Sequence, residues 1–82
     1  MREIATVESR LLRMFTAEMN LEVSDADIDL IETGILDSLT FVDLLFRLEQ
    51  EFGVKVAMES IETEQFRTIK KIAAFVLSAR AA

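Results

Sequence analysis

Residues 34–54 read GILDSLTFVDLLFRLEQEFGV. Phe41, Leu44, Leu45, Leu48 and Phe52 recur in this stretch at spacings of one helical turn, which predicts an α-helix over 38–52 with one buried face. Asp37 stands where a carboxylate can accept from the first free backbone N–H groups, and Gly53 where the chain can turn left-handed and stop. Leu39, Val42 and Phe46 draw a second apolar line along the same helix. A small bundle has little room to bury both lines. The second line is therefore either further core or an exposed ridge that docks on another protein.

Working outward, residues 3–19 show the same periodicity. Ile4, Val7, Leu11, Met14 and Phe15 form a stripe that Leu12 and Met19 widen, predicting a first helix that ends near Asn20. Residues 20–36 are acidic and aperiodic. Leu21, Val23, Ile28, Leu30 and Ile31 are expected to tuck this long loop onto the core, with Gly34 at its end where a positive φ costs little. Beyond Gly53, Val54 and Val56 alternate briefly. Ser60 and Thr63 are possible caps for a helical turn around residues 60–64. Thr68 then caps a last helix whose inner face is Ile69, Ile72, Ala73 and Val76, with Phe75 and Leu77 beside it and Lys70, Lys71 and Arg80 toward solvent. The expected fold is all-α: a four-helix bundle of three main helices plus one short helix, in a single domain over residues 1–82.

Composition narrows the chemistry. The chain has 82 residues with no Cys, His, Trp, Tyr or Pro and only two Gly. Without Cys there is no disulfide framework and no cysteine nucleophile, and without His no Ser-His triad or imidazole acid/base. The reading is a non-catalytic protein. A hydrophobic content of 51% excludes a disordered chain. Fifteen acids against nine bases leave a net charge of −6. The stretch from Met14 to Phe46 holds Glu18, Glu22, Asp25, Asp27, Asp29, Glu32, Asp37 and Asp43 and no base. Such an acidic pole repels nucleic acid and favours a partner with a basic surface, although solubility alone also explains acidity. Asp25, Asp27 and Asp29 alternate like calcium-loop ligands, but the Gly and closing Glu of such a loop are misplaced, so no metal site is expected. No apolar run approaches the ~20 residues of a membrane span, and the N-terminus lacks a signal-peptide pattern. A cytoplasmic monomer is the expectation.

Ser38 places a hydroxyl at the first turn of the central helix, where unpaired N–H groups and the macrodipole favour an anion such as a phosphate. On local grounds alone, a Ser there is most often a helix cap. Read together, Gly34-Ile35-Leu36-Asp37-Ser38-Leu39, the run Phe41–Val54, and the block Phe66–Val76 resemble the acyl carrier protein family, which includes peptidyl and D-alanyl carriers. The resemblance implies that Ser38 is esterified by 4′-phosphopantetheine, transferred from coenzyme A by a phosphopantetheinyl transferase. The arm's thiol then holds an acyl or aminoacyl group as a thioester for delivery to partner enzymes in fatty acid, polyketide or related biosynthesis. It further implies that Asp37 caps the helix and presents Ser38, that Leu39, Val42 and Phe46 form the docking ridge, and that Asp43 meets a basic groove on ligases or synthases. The sequence departs from fatty-acid carriers at Thr40, Arg47 and Lys55. These departures point to a specialised carrier with a dedicated ligase or synthase, and the cargo stays open. The competing reading is a small acidic interaction module with no prosthetic group.

Overall fold

In the computed structural model, residues 2–56 and 62–81 are described, with side chains over 4–56 and 62–79. Three α-helices and one short 3-10 helix follow in order: α1 (Arg2–Arg13), α2 (Ser38–Phe52), the 3-10 helix (Thr63–Phe66) and α3 (Ile69–Ala81). No strand occurs among the described residues. Helices α1 and α2 both pack on α3. Phe15, Phe66, Leu11, Met14, Leu30, Leu44, Leu48, Ile69, Ile72 and Val76 are fully buried between them. Each such side chain contributes about 1.5–3 kcal/mol, and an exposed ion pair under about 1 kcal/mol. The apolar core therefore holds the fold.

The first helix is not α-helical to Asn20 as its periodicity predicts. It widens after Arg13 into one π-helical turn, Met14–Glu18. Thr16 Oγ1 donates to the carbonyls of Leu12 (2.9 Å) and Arg13 (3.3 Å), competing with the regular ladder. The wider turn lets Met14 and Phe15, adjacent in sequence, both reach the core. Asn20 ends it with φ 60°, a left-handed conformation that Asn tolerates better than most residues, and Leu21 N–H donates to the Phe15 carbonyl at 2.8 Å.

Helix α2 spans the expected residues. Asp37 caps it and Gly53, at φ 69°, stops it by donating to the Glu49 carbonyl. Its inner face is Leu44, Leu45 and Leu48. Phe41 and Phe52, expected within that face, are only half-buried at its margins. Phe41 lies edge-on to Phe66, ring centroids 5.3 Å apart. Phe52 lies under the Arg10 guanidinium at 4.5 Å, while Arg10 also pairs with Glu51 at 3.0 Å.

The loop between α1 and α2 is pinned, and its acids do much of the pinning. Asp25 Oδ1 accepts from Asp27 N–H, and Asp29 Oδ1 from Ile31 and Glu32 N–H. Asp29 pairs with Arg67 and Asp27 with Lys70. Leu30 N–H donates to the Arg67 carbonyl at 2.7 Å and Lys70 N–H to the Ala26 carbonyl at 3.1 Å, so the loop is stitched to the start of α3. Val23 and Leu30 are buried, while Leu21 and Ile28 are half-buried against the core. Gly34 takes φ 79° as expected.

The short helix begins later than predicted, at Thr63, and no side chain caps it. Ser60, the other expected cap, lies outside the described residues. Phe66 decides the placement. It is fully buried and touches both Phe41 of α2 and Phe75 of α3. Thr68 Oγ1 accepts from Lys71 N–H at 3.1 Å, the expected cap of α3. The inner face Ile69, Ile72, Ala73 and Val76 is fully buried. Lys70 and Lys71 are exposed, and the side chain of Arg80 lies outside the described residues.

Candidate functional site around Ser38

Ser38 is the first residue of α2 and is exposed. The segment that delivers it is held from behind: Leu36 N–H donates to the Leu30 carbonyl at 2.8 Å, and the Leu36 side chain is buried. In front, Asp37 Oδ1 accepts from Thr40 N–H at 2.9 Å and from Thr40 Oγ1. These bonds favour the carboxylate, and the Asp37 pKa falls below its ordinary value; the Thr40 hydroxyl is the main cause and the Thr40 N–H the next. The first turn of α2 has no acid of its own. Within α2 the positive helix end beside Ser38 is therefore met by the Asp37 cap and by no acid of its own first turn.

An open cleft of about 200 Å³ lies against the serine, lined by Ile31, Leu36, Asp37, Ser38, Phe41 and Thr63. Ile31, expected as a core anchor, is half-buried and serves as one wall of this cleft. A larger concavity, about 560 Å³, lies between the short helix and α3 around Gln65, Lys71, Phe75 and Ser78. It shares no lining residue with the Ser38 cleft.

The second apolar line of α2 is exposed: Leu39 by 84%, Val42 by 53% and Phe46 by 61%. Asp43 flanks it, yet its charge is already met. Arg47 Nε donates to Asp43 Oδ2 at 3.1 Å, and Arg47 Nη1 to Glu18 Oε1 at 3.2 Å. The acidic pole is thus partly neutralised from the C-terminal half of the chain. Asp27, Asp29, Glu18 and Asp43 are paired, whereas Glu22, Asp25, Glu32 and Asp37 are exposed without an ion pair among the described residues. The cap at Asp37 and the exposure of the Leu39, Val42 and Phe46 line agree with the sequence reading, which missed the Thr40 bond to Asp37, the Arg47 clamp and the Thr63 wall. The spacing puts Thr40 within reach of the cap, but a capping box has Glu or Gln at that position, so no sequence rule marked the first. The i,i+4 half of the Arg47 clamp, on Asp43, was readable, whereas its reach to Glu18 and the Thr63 wall depend on contacts between distant parts of the chain.

Residues 9–76 match the family described as "Phosphopantetheine attachment site". The chain belongs to that family. This phosphopantetheine carrier is 38% identical over 68 residues to the D-alanyl carrier protein of Streptococcus uberis, covering 82% of this chain and 86% of the relative. It is 40% identical over 52 residues to the D-alanyl carrier protein of Abiotrophia defectiva, covering 63% of this chain and 66% of the relative. A third D-alanyl carrier protein, from Lacticaseibacillus casei, is 39% identical over 57 residues, 70% of each chain. Membership makes the carrier a non-catalytic protein, a substrate of phosphopantetheinyl transferase with 4′-phosphopantetheine covalently attached. The residues around Ser38 fit that group: an exposed hydroxyl at a helix start, and beside it a cleft with apolar walls. No helix among the described residues is long and apolar enough to cross a membrane.

Proposed function

We propose that Ser38 is the attachment serine, that residues 1–82 form one carrier domain, and that its cargo is an aminoacyl group of the D-alanyl type. The observation that carries the reading is an exposed Ser38 at the first position of α2, within the family match, on a segment fixed by Leu36 behind and Asp37 in front. In the modification, the Ser38 oxygen loses its proton and forms a new ester bond to the pantetheine-bearing phosphate of coenzyme A. The pyrophosphate bond breaks, and adenosine 3′,5′-bisphosphate leaves. The bound arm supplies a thiol, which this chain lacks. Asp37 fixes the helix start and faces the transferase, while Leu39, Val42 and Phe46 dock the partner enzymes, among them a ligase that loads the thiol. The D-alanyl class is favoured by the relatives named above. Transient apolar contacts suit a carrier that must leave each partner, because the tether raises local concentration without tight docking.

Intact-mass analysis after incubation with coenzyme A and a broad-range phosphopantetheinyl transferase tests the site. The wild type gains one pantetheinyl phosphate and Ser38→Ala gains none. An unchanged wild type would favour an interaction module without a prosthetic group. Incubating the modified carrier with ATP, D-alanine and a D-alanine-activating ligase then tests the cargo. A hydroxylamine-labile D-alanyl adduct supports it, and loading by acyl-activating enzymes alone refutes it.

A further inference from the structure

Asp37 is more than a bare cap. Both bonds from Thr40 converge on Oδ1, the N–H at 2.9 Å and the hydroxyl alongside it. Oδ2 takes neither Thr40 bond, and it belongs to an exposed side chain one residue from Ser38. Helix capping needs only the N–H bond. The hydroxyl bond adds a second constraint, which narrows the carboxylate's rotation while leaving its other oxygen free of Thr40. Thr40 is half-buried, and its neighbour Phe41 is seated on Phe66, so the hydroxyl acts from an anchored part of the helix. The cap carboxylate beside Ser38 has no cation to pair with among the described residues.

Building on the assignment of Ser38, we propose that Thr40 is a positioning residue for its modification: the Thr40 hydroxyl holds Asp37 by Oδ1 so that Oδ2 is presented, already oriented, to a cationic side chain of the transferase. The partner chemistry follows from the acceptor, an ionised carboxylate whose proton affinity the same hydroxyl lowers. Fixing one side chain before docking removes an ordering cost, and its loss corresponds to about two- to tenfold in affinity. The effect belongs in KM for the carrier and leaves kcat nearly unchanged, because no reacting atom moves.

The test compares wild type, Thr40→Val, Thr40→Ala and Thr40→Ser in transferase kinetics with coenzyme A, each variant first checked for folding by circular dichroism. Val keeps the size and branching and removes the hydroxyl, Ala removes both, and Ser restores the hydroxyl. The expected result is a KM raised about two- to tenfold in Val and Ala, an unchanged kcat, and wild-type KM in Ser. Carbon-detected NMR titration of the Asp37 carboxyl group supplies the second readout. Its pKa stays depressed in wild type and Ser, and rises toward 3.8 in Val and Ala. Wild-type KM in Val and Ala overturns the proposal, as does equal impairment of Ser and Val. A wild type that is never modified overturns the Ser38 assignment and this proposal together, whereas normal modification of every variant overturns this one alone.

Discussion

Truncating Phe46 separates a docking ridge from a core. Phe46 is 61% exposed, so folding removes only about two fifths of the residue from water. Full burial of a Phe is worth about 1.5–3 kcal/mol, which scales to about 0.6–1.2 kcal/mol here. Alanine's better helix propensity returns about 0.5 kcal/mol. Phe46→Ala should therefore cost no more than about 1 kcal/mol, or at most ~8 °C in melting temperature for a domain this size. Leu44, on the opposite face of the same helix, is fully buried. Leu44→Ala should cost about 2–5 kcal/mol, lowering the melting temperature by about 10 °C or more. The functional readout runs the other way. Loss of an interface aromatic commonly costs over 1 kcal/mol of binding, so a ligase acting on Phe46→Ala should show a KM raised about tenfold. Thermal melts of both variants beside steady-state ligase kinetics make the comparison. A Phe46→Ala protein destabilised like Leu44→Ala, or charged at wild-type KM, refutes the ridge.

Two further outcomes follow from the backbone and the carboxylates. At Gly53 a Cβ would meet nothing within 4 Å, but φ is +69°, so Gly53→Ala should lose about 1–2 kcal/mol through backbone strain alone; urea unfolding measures it, and a neutral result would mean that the helix end relaxes to negative φ. The pKa of Asp37 is lowered mainly by Thr40, and that of Glu64 mainly by its bond from Lys71. Folding thus favours their ionised forms, and this stabilisation is complete above their ordinary values of 3.8 and 4.5 and disappears as pH falls through the lowered ones. Urea midpoints at pH 7, 5, 4 and 3 should hold between the first two and fall across the last two, and Lys71→Met should flatten the part due to Glu64.

Helix α2 was legible because three independent signals coincide on it: a turn-by-turn apolar face, an Asp in front and a Gly behind. The position of Ser38 was legible for the same reason, since it sits where the cap and the helix meet. What escaped the sequence depends on long-range geometry. The π-turn arises where a Thr16 hydroxyl competes with the ladder and two adjacent side chains must both reach the core. Periodicity cannot show that. The short helix is set by Phe66, which finds its rings in both α2 and α3. Ile31 reads as core by composition, yet it faces the cleft because Asp29, two residues earlier, is held by Arg67 from 38 positions away.

Charge beside the exposed ridge of α2 is set by one near and one distant pair. In isolation, Asp43 beside an apolar ridge reads as a free anion for a basic groove. In the folded chain Arg47 covers it and reaches on to Glu18, 29 positions away, so the cluster carries one net negative charge, not two. A basic partner gains little there unless it displaces Arg47, and displacement leaves the guanidinium needing a new acceptor. On the docking role proposed for the ridge, attraction at longer range falls to the exposed acids Glu22, Asp25, Glu32 and Asp37, and contact to Leu39, Val42 and Phe46. Long-range charge sets the rate of encounter, and buried apolar contact sets the lifetime of the complex. Separating the two lets a carrier arrive quickly and still leave, which repeated loading and delivery require.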